Sequence, residues 1–88
     1  MKIELYLVPE DIHGKALKLF LNNNNIKFNE ITTEDLELLS SIAQTQLKEK
    51  ISLLRIKRSH SINVIEGFDE IALNQLLDHI KKYNPKIG

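Results

Sequence analysis

Eighty-eight residues fit one domain with a single core and are too few for two. Twelve Lys and Arg balance twelve Asp and Glu, and a net charge of zero removes the electrostatic case for nucleic acid or an anionic membrane as partner while leaving a homodimer open. Cysteine is absent, so there is no disulfide, no thiolate metal site and no thiol nucleophile.

The first strand is expected over Lys2–Val8, where Ile3, Leu5 and Leu7 alternate with Lys2, Glu4 and Tyr6. Glu4 interrupts this apolar segment and Pro9 and Glu10 end it, so it is no signal peptide. No apolar run approaches the ~20 residues of a membrane span, and a cytoplasmic location is the expectation. Asp11 or His13 opens the first helix, whose predicted buried face carries Ile12, Ala16, Leu19 and Phe20. Asn22–Asn25 stop it, with Asn25 suited to a left-handed cap.

A second short strand is expected over Ile26–Ile31. Thr32 or Thr33 then caps a second helix, with Glu34, Asp35 and Glu37 at its positive end and Lys48 and Lys50 at its negative end. Leu36, Leu39, Ala43 and Leu47 form its apolar stripe. The third strand, Ile51–Lys57, and the fourth, Ile62–Ile65, make a hairpin around Arg58-Ser59-His60-Ser61. Gly67 breaks the last strand, and Asp69 caps a final helix that buries Leu73, Leu76, Leu77, Ile80 and Tyr83 and ends before Pro85.

The strand leading through Pro9 into Glu10–Leu21, and the run Val64-Ile65-Glu66-Gly67-Phe68-Asp69-Glu70, resemble glutaredoxins. That resemblance implies a thioredoxin fold over residues 1–88: an α/β domain of order β-α-β-α-β-β-α, with a four-stranded mixed sheet and three helices. From Pro9 to Ile26 the chain follows the family pattern without gaps, but residue identity is confined to the two short motifs. The family's Cys-x-x-Cys positions fall on Asp11 and Gly14, or on Glu10 and His13 if the register slips by one. Its cis-Pro position falls on Ser52, after Ile51, where a cis peptide would cost roughly 3 kcal/mol and trans is expected. Val8 replaces the Lys that helps glutaredoxins bind a glutathione carboxylate. Gly67-Phe68-Asp69 keeps the turn that holds the γ-glutamyl end of glutathione in the family.

Two functions follow as expectations. The first is a glutaredoxin-like domain without redox catalysis, not an enzyme and without cofactor, that binds or scaffolds another protein through Pro9–Gly14, Ile51-Ser52 and Gly67–Asp69. The alternative retains glutathione, or uses it as transferases do, through Ile51, Gly67, Phe68 and Asp69, with Tyr6 or Ser52 as the available hydroxyl. His13, His60 and His79 read as surface residues rather than metal ligands. Arg55, Lys57, Arg58 and His60 read as a solvated basic hairpin.

Overall fold

A computed structural model describes residues 1–83. It contains β1 (Lys2–Leu7), α1 (Ile12–Asn23), β2 (Asn29–Thr32), α2 (Leu36–Ala43), β3 (Leu53–Lys57), β4 (Ile62–Glu66) and α3 (Glu70–Tyr83). The strands form one sheet in the order β2-β1-β3-β4. β1 and β2 run parallel, with Glu4 opposite Asn29 and Leu7 opposite Thr32, while β1/β3 and β3/β4 are antiparallel. The element order and the mixed four-stranded sheet are those expected from the sequence. No described helix is long and apolar enough to cross a membrane.

Side chains alternate across a strand, so each face of the sheet gathers its own core. Ile3, Leu5, Leu54, Ile56 and Ile65 pack against Leu17 and Leu21 of α1 and Leu73, Leu76 and Ile80 of α3. Tyr6, Val8 and Leu53 pack on the other face against Leu39 of α2 and Leu47. This second layer corrects the one-sided reading of β1: Tyr6 and Glu4 are buried too. Glu4 is accommodated because Arg55, directly opposite, donates Nε to its Oε1 at 2.8 Å. Arg55 also donates Nη2 to the Tyr6 hydroxyl at 2.8 Å and lies over the Tyr6 ring. Arg55 is therefore not part of a solvated basic hairpin.

The fully buried face of α1 is Gly14, Leu17 and Leu21; of the expected face, Phe20 is half-buried against the core and Ala16 is half-buried, while Ile12 and Leu19 are exposed. Both stripes have helical spacing, and the bare Gly14 decides between them by letting the helix close onto the sheet. The helix stop at the asparagines is a Schellman motif. Ile26 N–H donates to Leu21 O at 2.9 Å and Asn25 N–H to Asn22 O at 3.2 Å, with Asn25 at φ 55°. Ile26 is thus a buried helix-end anchor, and the second strand begins later than expected, at Asn29.

α2 is capped by Asp35 rather than by Thr32 or Thr33; Asp35 Oδ1 accepts from the N–H groups of Glu37 and Leu38. Thr33 instead accepts from Asp35 N–H and donates its own N–H to Leu7 O. The left-handed Gln44, at φ 59°, ends the helix, so Lys48 and Lys50 do not lie in its last turn. Leu47 is buried beyond the helix, its N–H bonded to Ser40 Oγ at 3.1 Å. The hairpin loop closes with Arg58 N–H on Ser61 O at 2.8 Å. In α3, Leu73, Leu76 and Ile80 are buried and Leu77 only partly, while the expected burial of Tyr83 and the stop at Pro85 fall outside what is described.

Candidate functional site

Four segments named from the sequence meet at one edge: the turn after β1, the start of α1, the residue before β3 and the turn after β4. Asp11 N–H donates to Val8 O at 3.2 Å, closing a turn with Pro9 and Glu10 at its centre. Glu10 holds φ 68° in this turn, a left-handed conformation that type II turns normally give to Gly or Asn. Asp11 is the N-cap of α1, its Oδ1 accepting from His13 N–H at 3.1 Å.

Ser52 joins the other three segments. Its side chain is fully buried, and its Oγ accepts from Val8 N–H at 2.9 Å. Its N–H donates to Asp11 Oδ2 at 2.9 Å, and its carbonyl accepts from Gly67 N–H at 2.9 Å. These bonds explain why β3 begins at Leu53 and not at Ile51. The backbone has no cis peptide among the described residues, in line with the trans expectation at Ile51-Ser52. Ile51 is half-buried against the α2-side core.

Gly14 packs directly on this knot. A Cβ at position 14 would lie 2.5 Å from Leu7 Cδ1 and 3.0 Å from Ser52 Cβ, and closer still to Ser52 Oγ. The second expected thiol position therefore has no room for any side chain while Ser52 is held by Val8. Gly67 adopts φ 63°, where a side chain is strained, and faces His13. Asp69 opens α3, its Oδ1 accepting from Ala72 N–H at 3.2 Å. Phe68 meets Phe20 edge to face at 6.3 Å.

The electrostatics agree with a structural role for Asp11. Burial pushes its carboxyl up, but the Ser52 N–H, the Ser52 hydroxyl, the His13 N–H and the His13 charge together draw it below its ordinary value of 3.8. Asp11 is thus an ionised acceptor at neutral pH, unsuited to donate a proton. The Ser52 hydroxyl is sealed from solvent and already hydrogen-bonded, so it lacks the access a nucleophile needs.

The structure brings Asp11, Gly14, Ser52 and Gly67 together as the sequence reading expected. What that reading missed is the part Ser52 plays as their common partner. The available signal was a lone hydroxyl in the apolar run Ile51–Leu54, a pattern that calls for a buried, hydrogen-bonded residue. Also missed was the exposure of Ile12 (71%), in the first turn of α1, and Ile71 (73%), in the first turn of α3. His13 and His60 are exposed as expected, whereas His79 is half-buried against neighbours. No cluster of three or more His, Asp or Glu that could hold a metal ion occurs among the described residues. Two hollows lined by described residues lie elsewhere, one beside Met1 and Asn25 and one beside Arg58 and His79. No protein-family model matches the chain, and no curated protein matches it closely.

Proposed function

We propose that this chain is a cytoplasmic, glutaredoxin-like domain of thioredoxin fold that has no thiol redox chemistry and binds or scaffolds another protein. The strand order β2-β1-β3-β4, with β1 and β2 parallel and a closing hairpin, supports the fold. So does the meeting of Asp11 and Gly14 with Ser52 and Gly67. One observation carries the binding role: Ile12 in the first turn of α1 and Ile71 in the first turn of α3 are large apolar side chains left mostly in water. Large apolar groups left in water gain most from a partner that covers them.

The glutathione reading has less support. The Gly67 N–H is held by Ser52 O, and Asp69 is engaged as a helix cap. Neither hydroxyl is available to a ligand, since Ser52 is sealed and the buried Tyr6 is bonded to Arg55.

Site-specific photo-crosslinking tests the proposal. A benzophenone side chain at position 12 or 71 is expected to yield discrete protein adducts in cells, while the same group at the exposed Asn74 yields none. A self-adduct would identify the partner as a second copy. Equal, diffuse labelling from all three positions would contradict a binding role. Amide shifts at Phe68 and Asp69 on adding millimolar glutathione would favour the alternative.

A further inference from the structure

The sheet order leaves β4 as an outer strand, paired with β3 on one side only. The bonds at the two ends of this pairing fix where its main-chain groups point. Gly67 N–H donates to Ser52 O and Arg58 N–H to Ser61 O, so these are hydrogen-bonded pairs of the ladder. Such pairs alternate along an antiparallel ladder, which makes Ile65 and Asn63 the next ones, bonded to Leu54 and Ile56. Ile62, Val64 and Glu66 therefore direct their N–H and C=O groups away from the sheet. Those groups have no main-chain partner among the described residues.

Outer strands are usually guarded by lysine, proline or a bulge. β4 has none of these: it reads Ile62-Asn63-Val64-Ile65-Glu66, its register with β3 is unbroken, and Ile62 is 55% exposed. The cations of the hairpin sit on β3 and in the loop, at Lys57, Arg58 and His60. The other outer strand, β2, is shorter and carries Glu30, which is tied to Lys18 at 2.8 Å. β4 is the open edge.

We propose that two copies of this chain pair antiparallel through β4, with Val64 opposite Val64 and Ile62 opposite Glu66. Only a two-fold axis at Val64 lets Ile62, Val64 and Glu66 each exchange both main-chain bonds with the other copy. An axis at Glu66 would set two carboxylates face to face, which is unfavourable. The charges also complement each other in the Val64 register. Lys57 stands opposite Ile62 on β3, so Glu66 of the second copy lies in the same row, about 10 Å from it at two strand spacings. A lysine and a glutamate side chain together close that span. Zero net charge leaves no general repulsion between copies. A contact through one strand of 5 residues is small, and it makes the dimer a reversible one. It uses none of Ile12, Phe68 or Ile71, so it stands independently of the binding role proposed above.

Sedimentation equilibrium of the full chain at low salt, from about 10 μM to about 1 mM, is expected to show monomer and dimer in exchange. Amide hydrogen exchange reports the register. The N–H groups of Ile62, Val64 and Glu66 should slow severalfold as concentration rises, while those of Asn63 and Ile65 stay protected throughout. Glu66→Lys places two cations in one row at both ends of the contact. It should weaken the dimer about tenfold, ~1.4 kcal/mol over the two symmetric pairs. Lys57→Glu should weaken it similarly, and the double reversal should restore it. Within one chain Lys57 and Glu66 lie at opposite ends of the β3/β4 ladder, so this rescue passes only between copies. Protection at Asn63 and Ile65 confirms that each variant is folded. Monomer alone at about 1 mM, a dimer whose three outward amides exchange freely, or a double reversal no tighter than the single ones would each overturn the proposal.

Discussion

The two ends of β3 treat buried polar groups in opposite ways. At its start, Ser52 has its N–H, carbonyl and hydroxyl all matched within the chain, to Asp11, Gly67 and Val8. Just past its end, Arg58 keeps one buried donor unmatched above an apolar cleft. A matched group holds structure together, and an unmatched buried one costs stability. The end that gathers Asp11, Gly14 and Gly67 on Ser52 is thus the closed one.

Gly14→Ala is the largest single test of that closure. An exposed helix glycine gains about 1 kcal/mol on replacement by Ala. Here the added methyl meets Leu7 and Ser52, and a loss of about 3 kcal/mol is expected from overpacking. Chemical denaturation gives both sign and size. Ser52→Ala comes next, with a loss of about 2 kcal/mol, because the buried Val8 N–H then has no acceptor. If this variant is as stable as the parent, Ser52 is not the knot described above.

Asp11→Ala should cost about 1–2 kcal/mol at pH 7 through the lost cap and the unmatched Ser52 N–H. The pH dependence has a definite sign. The folded pKa lies below the ordinary 3.8, so the contribution is complete above that pH and disappears as pH falls through the folded value. The gap between parent and Asp11→Ala melting temperatures should therefore close in strong acid and stay level from pH 5 upward. Last and smallest, Glu10→Gly should stabilise the chain by about 0.5–1 kcal/mol, because glycine relieves the left-handed backbone of the turn. A destabilised Glu10→Gly would mean that the Glu10 side chain makes a contact of its own.

The sequence made the order of elements legible because punctuation was strong: Pro9, the asparagine run, Asp69 and Gly67 all mark boundaries that the structure respects. The faces were harder to read. α1 carries apolar residues on two sides, and only the close approach allowed by Gly14 reveals which side meets the sheet. The burial of Glu4 was hidden for a similar reason, since its cross-strand pairing with Arg55 depends on register across 51 residues. The early boundaries expected for β2 and β3 came from treating Ile26 and Ile51 as strand residues. One is a helix-end anchor, and the other precedes a serine whose hydrogen bonds go to Asp11, Val8 and Gly67. At the candidate site the participating residues were visible, but not their mutual hydrogen bonds, which join positions 41 and 44 apart in the chain.

Native-state amide hydrogen exchange tests the closed edge most directly. The Val8, Ser52 and Gly67 N–H groups all end on the Ser52 knot, so they should exchange as slowly as those of Leu5 and Leu54 in the core strands, through global unfolding alone. Fast exchange at those three amides beside a protected core would show an open, mobile groove and would contradict the account.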